Sequence, residues 1–338
     1  MYSPVSSTAN DRPQHARIIL NPRAGHVEDI SGVERAAAVW QARGWQVDLF
    51  TTRYAGHAVD LARDAAAAGC DLVVAAGGDG TVNEVVNGIA GTRTALAALP
   101  FGTGNVWVRE TKLPLRPEAA AAALLDGTPY ALDLGQAGSR YFLLMAGVGF
   151  DASVARTVRP ELKRRLGIMA YLVQALTIAR DVRGTRARIV LDGRPVKGHV
   201  LMVVIGNSRL YGGFLQITHH ASLTDGLLDV AVIKGQNARS APIHLLSILL
   251  RRHHFNPDMA YYRAYEVTVS GSVPLDVQVD GELIGVTPMT FRVVPGALQA
   301  WLPPAAAQEL LSAGPQLRLP AMLDNIRRVF INGPQPRP

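Results

Sequence analysis

The chain has 338 residues and a formal net charge of +7, and 48% of its residues are hydrophobic. This length and apolar fraction suit two globular domains with sizeable cores and exclude an intrinsically disordered chain. The single cysteine, Cys70, excludes an internal disulfide, and no apolar run reaches the roughly 18–20 residues of a membrane span. The basic balance suits nucleic acid, an anionic membrane surface or an anionic substrate. A polar start without a signal peptide predicts a cytoplasmic protein and leaves peripheral contact with the inner membrane face open.

The chain up to about residue 130 alternates apolar strands with alanine-rich helices. After a flexible tail over 1–13, we predict strands at 17–20, 45–50, 71–75 and 96–99, and helices at 30–43, at 56–68 and around Val82, Val85, Val86 and Ile89. Strands that alternate with helices predict a doubly wound α/β domain, a parallel sheet with right-handed crossovers.

The pattern beyond residue 130 changes to short strands separated by turn signals such as Asp192-Gly193 and Asp280-Gly281, which predicts an antiparallel β-sandwich or barrel. The predicted strands are 130–134, 141–146, 186–191, 197–205, 227–233, 264–270, 277–279, 290–294 and 298–302, and the predicted helices are 161–181, 240–252, 305–313 and 319–330. The predicted domains are a tail over 1–13, an α/β domain over 14–134, a β-sandwich domain over 135–302, and a helical segment over 303–338 that returns to the first domain.

The most informative stretch reads Ala-Gly-Gly-Asp-Gly-Thr-Val-Asn-Glu over 76–84, between a buried strand and an amphipathic helix. A glycine-rich turn at a helix N-terminus exposes backbone N–H groups and favours phosphate. Asp79 is unexpected in an anion cradle because a carboxylate repels phosphate, and a metal ion commonly resolves that conflict. The loop therefore suggests a nucleoside triphosphate with magnesium.

Further motifs follow in order along the chain. They are Asn21 to Gly25 after the first strand, Pro100 to Asn105 after the fourth, Tyr211-Gly212-Gly213, Asp225 to Asp229, and Val279 to Glu282. This ordered set, over about residues 16–302, resembles the diacylglycerol kinase catalytic-domain family in its soluble bacterial lipid kinase branch, and sphingosine and ceramide kinases are similar. The Gly-Gly-Asp-Gly-Thr run alone also resembles NAD kinases and phosphofructokinases.

The resemblance implies an ATP-binding α/β domain, a β-sandwich lipid domain, and an active site in the cleft between them. It implies transfer of the ATP γ-phosphate to a lipid hydroxyl. The residues that it places on ATP are Asn21, Pro22, Arg23, Ala24, Gly25, Thr52, Gly77, Gly78, Asp79, Gly80, Thr81, Asn83, Glu84 and Thr103. The chain departs from the family at Ala24, where serine is common, and at Val106, where an aspartate usually follows the asparagine.

The resemblance also implies a structural magnesium ion, distinct from the one that travels with ATP. It would be held by the Asp225 carboxylate and by backbone carbonyls near Ser222 and Leu227. The family's general base falls on Asp280, with Asp79 as a competitor for that role. Asp133 matches a position that links metal, water and base. Taken alone, the Asp-Gly pairs at 225 and 280 are equally typical of plain turns.

The leading hypothesis is an ATP- and magnesium-dependent lipid kinase that acts at a membrane surface, with a homodimer left open. Its acceptor could be diacylglycerol, phosphatidylglycerol or a sphingoid lipid. The alternatives are a soluble-substrate kinase of the NAD kinase type and a non-catalytic nucleotide-binding regulator. No recognised motif supports nucleic acid as a partner. The basic clusters at 163–165 and 251–254 suit either anionic headgroups or solvated helix ends.

Overall fold

The computed structural model describes residues 14–25, 31–149, 184–210, 216–235 and 256–312. The predicted tail, the predicted helices at 161–181, 240–252 and 319–330, and both basic clusters lie outside the described residues. Within these described ranges, no helix is long and apolar enough to cross a membrane.

The N-terminal part is a parallel sheet with the order β4-β3-β1-β2 and a helix after each of its first three strands, as the sequence predicts. Its elements are β1 (His15–Leu20), α1 (Ser31–Gln41), β2 (Gln46–Thr51), α2 (His57–Ala67), β3 (Leu72–Gly77), α3 (Asp79–Ile89) and β4 (Ala95–Pro100), followed by α4 (Val106–Glu110) and α5 (Pro117–Leu124). β3 and β4 are buried along their whole length, which explains their continuous apolar sequence. Right-handed crossovers in this strand order place α1 on one face of the sheet and α2 and α3 on the other.

The C-terminal part is antiparallel and encloses a second hydrophobic core. Its strands are β5 (Thr128–Ala137), β6 (Arg140–Phe142), β7 (Met145–Gly149), β8 (Thr185–Leu191), β9 (Arg194–Gly206), β10 (Leu228–Lys234), β11 (Met259–Ala264), β12 (Glu266–Gly271), β13 (Asp276–Val279), β14 (Glu282–Val286) and β15 (Met289–Leu302). β15 pairs antiparallel with β5 and β12 and parallel with β4, so it joins both parts of the chain into one continuous hydrogen-bonded sheet.

The observed strands differ from the predicted ones at four places, of which the first is β11 (Met259–Ala264), a strand that was not predicted. The predicted strand 141–146 is divided between β6 and β7, because Leu143 and Leu144 direct their N–H groups to a carboxylate. The predicted strands 290–294 and 298–302 merge into β15, with a register shift between them. β14 escaped prediction because it is short, follows directly on the Asp280-Gly281 turn and is interrupted by Gly285.

The last described helix, α6 (Pro304–Ser312), buries Ala307 and Leu310 against the core of the α/β part. The predicted domain boundary between 134 and 135 falls inside β5, which continues to residue 137 as the partner of β15. The boundary positions stay a prediction.

Close packing of α3 on α2 gives a first test. A Cβ at Gly88 would lie 2.5 Å from the Val59 carbonyl oxygen and 2.7 Å from Ala62 Cβ. Gly→Ala in a helix interior normally stabilises by about 1 kcal/mol, but overpacking here should make Gly88→Ala destabilising by about 1–3 kcal/mol. Urea unfolding measures the change. The control is Gly198→Ala on β9, where no atom lies within 4 Å of the new Cβ; equal behaviour of the two variants would contradict the close packing.

Candidate active site

Three glycine-rich loops meet at the carboxyl edge of the parallel sheet, where α/β proteins bind ligands. They follow β1, β3 and β4. A Cβ at Gly25 would lie 2.3 Å from the Phe101 carbonyl oxygen, and a Cβ at Gly102 would lie 2.3 Å from Gly78 Cα. The structure therefore brings together three of the predicted ATP-binding segments, and glycine is what allows their backbones to approach one another.

The N-terminus of α3 lies at the centre of these loops. Gly78 enters the helix in an extended conformation, and the first turn of any helix leaves backbone N–H groups without intrahelical acceptors. Asn21 Nδ2 donates to Thr81 Oγ1 at 3.0 Å, and Arg23 N donates to Asn21 Oδ1 at 3.0 Å. The β1 loop is thus fastened to α3, and the arrangement fits a phosphate group.

The Asp79 carboxylate has a protein partner that the sequence did not suggest. Its Oδ1 accepts hydrogen bonds from the N–H groups of Val106 at 2.6 Å and Trp107 at 3.3 Å, the first two residues of α4. The backbone amides of α4 therefore compensate much of the negative charge that appeared to conflict with phosphate. Asp79 orders the loop after β4, whose Thr103 is exposed at the tip.

Glu84, another residue predicted to bind ATP, also holds neighbouring backbone. The Glu84 carboxylate accepts hydrogen bonds from Gly56 N at 2.9 Å and Ala58 N at 3.1 Å, where α2 begins. This contact fixes the segment that follows β2 and contains Thr52, whose N–H donates to Leu20 O. Glu84 therefore supports Thr52 through the loop.

Asp280 lies in a two-residue turn between β13 and β14, in which Asp280 and Gly281 have φ of 47° and 88°. Its Oδ1 accepts from the N–H groups of Leu144 at 3.0 Å and Met145 at 2.9 Å. Its Oδ2 accepts from Leu143 N at 2.9 Å and from Asn83 Nδ2 at 2.8 Å. One carboxylate thereby joins α3, the β6–β7 link and the β13–β14 turn.

These contacts oppose the prediction that Asp280 takes the proton from the acceptor. A carboxylate offers about four lone-pair sites, and the four donors fill them. Burial raises the pKa of the Asp280 carboxyl, while the hydrogen bonds from Met145, Leu143, Asn83 and Leu144 act in the opposite direction. Asp280 in this arrangement holds the backbone in place and has no acceptor site left for a hydroxyl.

Glu282 is a residue to which the sequence analysis gave no role. It is the first residue of β14, directly after the turn, and its side chain is 40% exposed. Its Oε1 would lie 3.5 Å from a Cβ at Gly80, in the first turn of α3. The sequence held a signal for the position of Glu282 in the Asp280-Gly281 pair. A two-residue hairpin turn places the residue that follows it at the start of the next strand, directly beside the turn.

Asn83 shares its side chain among several partners and is almost fully buried. Its Nδ2 donates to Asp280 and to Tyr141 O, and its Oδ1 accepts from Arg140. These contacts fix α3 to β6, and the contact of Asn83 with ATP stays a prediction. Asn87, one turn later, also binds the Tyr141 backbone.

Asp133 links this region to the loop that precedes β10. Asp133 Oδ2 accepts from Gly226 N at 2.7 Å, and its Oδ1 accepts from Gly296 N at 2.8 Å. Asn207 Nδ2 donates to both the Asp133 and the Leu143 carbonyl oxygens at 2.9 Å. A continuous set of polar contacts thus runs from the Asp225 loop to Asp280.

The Asp225 carboxylate, the predicted side-chain ligand of magnesium, is already engaged by protein groups. Asp225 Oδ1 accepts from Leu227 N at 3.1 Å, and Oδ2 pairs with Arg263 Nη2. Arg263 Nε also lies 3.5 Å from Asp229 Oδ2, which has no hydrogen-bond partner among the described residues. Among the described residues, no group of three or more His, Cys, Asp or Glu side chains suits a metal. With Arg263 in this place, the Asp225 carboxylate does not fit the role of a ligand to a resident Mg²⁺.

Asp225, Asp229, Tyr261 and Arg263 form a cluster of polar side chains. The buried carboxylate of Asp229 shows how strongly this cluster depends on the positive charge of Arg263. Asp229 is fully buried, and its Oδ1 accepts from Tyr261 Oη at 2.6 Å. Burial raises the pKa of Asp229 to about 6, although Tyr261 and Arg263 act to lower it. Burial and the neighbouring Asp229 charge raise the pKa of Tyr261 as well. Arg263 therefore stabilises two carboxylates that would otherwise repel each other.

The parallel sheet carries glycine-rich loops at its carboxyl edge, around the N-terminus of α3. The antiparallel domain joined to this sheet places carboxylates beside the same helix N-terminus. Together these features define a phosphotransferase of two-domain type. Comparison with known proteins names the class. Residues 15–137 match the diacylglycerol kinase catalytic domain, and residues 145–302 match the YegS C-terminal NAD kinase beta sandwich-like domain.

Individual relatives agree with these matches. The chain is 31% identical to a diacylglycerol kinase of Bacillus subtilis, over 88% of this chain and 99% of that protein. It is 36% identical to a Pseudomonas putida protein named "Probable lipid kinase YegS-like", over 88% of this chain and 97% of the relative. The crystal structure of a diacylglycerol kinase from Bacillus anthracis superposes with a TM-score of 0.74, at 25% identity, over 86% of this chain and 98% of the other.

The chain belongs to the diacylglycerol kinase catalytic-domain family and is an enzyme of the lipid kinase class. The predicted fold class, an α/β domain followed by an antiparallel β-sandwich domain, is confirmed. Membership in a kinase family implies the use of ATP. The roles of individual site residues stay predictions, apart from the contacts described above.

The Arg263 contacts generate a prediction about metal. We expect the free energy of unfolding without nucleotide to be equal in Mg²⁺ and in EDTA, because Arg263 already supplies the positive charge. Arg263→Gln should destabilise by about 3 kcal/mol, since it leaves two carboxylates without their cation, and added Mg²⁺ should recover part of the loss.

Thermal unfolding with and without EDTA provides the measurement. The control is Arg292→Gln, whose partner Glu266 is exposed and which should change little in either condition. If Mg²⁺ without nucleotide raises the melting temperature of the wild type, the result would support the predicted metal site and contradict our expectation.

Proposed function

We propose that the protein transfers the γ-phosphoryl group of MgATP to a hydroxyl of a lipid such as diacylglycerol, phosphatidylglycerol or a sphingoid lipid. One observation carries the proposal: the β13–β14 turn places two acidic side chains against α3, whose N-terminus lies in the glycine-rich stretch 76–84, called the phosphate loop below. The names of the relatives support a lipid acceptor. Magnesium enters as part of the nucleotide substrate.

The ATP phosphates would bind the N–H groups at the start of α3 and the loop from Gly77 to Thr81. The loops Asn21 to Gly25 and Pro100 to Asn105 would close on them, with the exposed Thr103 as a hydroxyl donor. Thr52 would contact the nucleotide from the end of β2. Phosphoryl transfer asks mainly for positioning and charge neutralisation, and these loops serve that purpose because they are fastened to one another.

Glu282 is the proton acceptor in this mechanism, and Asp280 is a positioning residue. The lipid hydroxyl oxygen attacks the γ-phosphorus in line, and the bond between the γ-phosphorus and the β–γ bridging oxygen breaks. The hydroxyl proton passes to the Glu282 carboxylate. Glu282 is solvent-accessible and lies next to the phosphate loop, whereas the lone pairs of Asp280 are occupied.

A lipid acceptor also places the reaction at a membrane surface. The described helices do not span a bilayer, so the protein would reach its substrate by peripheral contact. The net charge of +7 favours an anionic surface.

The test incubates purified protein with labelled ATP, Mg²⁺ and a panel of detergent-dispersed lipids, with NAD as the soluble acceptor. We expect label in one lipid class. Glu282→Gln should lower kcat by about 10²–10⁴-fold, the range for loss of a general base, with an unchanged melting temperature. Glu266→Gln, at an exposed ion pair on β12, is the control.

Asp280→Asn separates positioning from proton transfer. It turns an amide N–H group toward backbone donors, so we expect a loss of about 2 kcal/mol or more in the free energy of unfolding together with lower activity. Label in NAD alone would support a soluble-substrate kinase, and no label with ATP still bound would support a regulator. If Glu282→Gln keeps full activity while Asp280→Asn is stable but inactive, the proton acceptor is Asp280.

A further inference from the structure

Arg140 occupies an unusual place at the start of β6. Its Nε and Nη2 donate to Asn83 Oδ1 at 3.2 and 2.9 Å, and its Nη2 also pairs with the Glu282 carboxylate. The Arg140 side chain is 31% exposed and that of Glu282 is 40% exposed. An ion pair as accessible as this one contributes little to stability, so its position beside the phosphate loop calls for a different explanation.

Glu282 creates an electrostatic conflict for a nucleotide. Its Oε1 lies beside Gly80 in the first turn of α3, where a phosphate group would bind. A carboxylate and a phosphate repel each other, so a triphosphate in this place requires a cation between them. Arg140 pairs with Glu282 and can supply that cation, and within the described part of the chain its Nη1 makes no hydrogen bond.

We propose that Arg140 exchanges partners when ATP binds. The guanidinium leaves Glu282 for the γ-phosphate of MgATP, while Nε remains on Asn83 Oδ1. The released Glu282 carboxylate then accepts the proton of the lipid hydroxyl as its oxygen bonds to the γ-phosphorus, and MgADP leaves. Glu282 is thus available as a proton acceptor only when the γ-phosphate is present; this step rests on the proposed function.

The geometry of the guanidinium suits this exchange. Its donors form a planar fork that matches carboxylate and phosphate equally well, and arginine stays charged throughout. Asn83 holds one edge of the fork and is itself fixed, because its two amide hydrogens go to Asp280 and Tyr141. The other edge can therefore turn from one anion to another without loss of its anchor.

The proposal is tested by the affinities of MgATP and MgADP, measured by isothermal titration calorimetry without lipid. We expect the wild type to bind MgATP more tightly than MgADP. Arg140→Gln should lower this preference at least about tenfold, the loss of one charge-assisted hydrogen bond, with MgADP affinity within about twofold because ADP lacks the γ-phosphate. Arg292→Gln should preserve both affinities. An unchanged preference in Arg140→Gln would overturn the proposal.

Glu282→Gln provides a second test that leaves Arg140 in place. It removes the competing carboxylate, so MgATP should bind severalfold more tightly while MgADP affinity changes little. Weaker MgATP binding in this variant would contradict the exchange. Circular dichroism melts of each variant confirm the fold, and Glu282→Gln decides the matter if Arg140→Gln does not fold.

The outcome is separable from that of the proposed function. Failure to label any lipid would remove the kinase proposal, while an ATP preference that depends on Arg140 would still support the exchange. Label transfer to a lipid with an ATP preference that does not depend on Arg140 would support the kinase and overturn the exchange.

Discussion

The carboxylate of Asp280 is the contact on which the site depends. Three consecutive backbone N–H groups, from Leu143 to Met145, and the side chain of Asn83 converge on it. Successive N–H groups of this kind form a concavity that binds anions, and here the protein fills it with its own carboxylate. The phosphate loop, the link between β6 and β7 and the turn that carries Glu282 are therefore held in one fixed relation.

Several acidic side chains around the cleft order backbone in the same way. Asp79 holds the start of α4, Glu84 the start of α2, and Asp133 the loop before β10. Each accepts hydrogen bonds from amides that would otherwise lack partners. These acidic side chains thus shape the loops, whereas Glu282, whose side chain is 40% exposed, lies beside the first turn of α3. Arg140 and Arg263 neutralise the carboxylates that the amides leave uncompensated.

Much of the fold was predictable because it follows from local pattern. Buried parallel strands read as continuous apolar runs, and helices show their apolar face through periodicity. The predictions erred where tertiary contacts decide, as at Leu143 and Leu144, whose apolar sequence reads as strand although their amides turn toward Asp280. β14 is short, contains Gly285 and is mostly exposed, and its pairing with β13 makes it a strand.

The sequence by itself determined the family, the order of the loops and their convergence at one sheet edge, because glycine spacing and strand rhythm are local properties. Only the tertiary structure decided which carboxylate is occupied and which is accessible. Asp280 and Glu282 are both acidic and lie two residues apart, but Asp280 meets four donors from distant segments, whereas Glu282 pairs with Arg140 and is 40% exposed. Likewise Arg263, from a strand far from Asp225 in sequence, supplies the charge for which a metal was predicted. Charge compensation depends on which segments meet in space, and no local pattern records that.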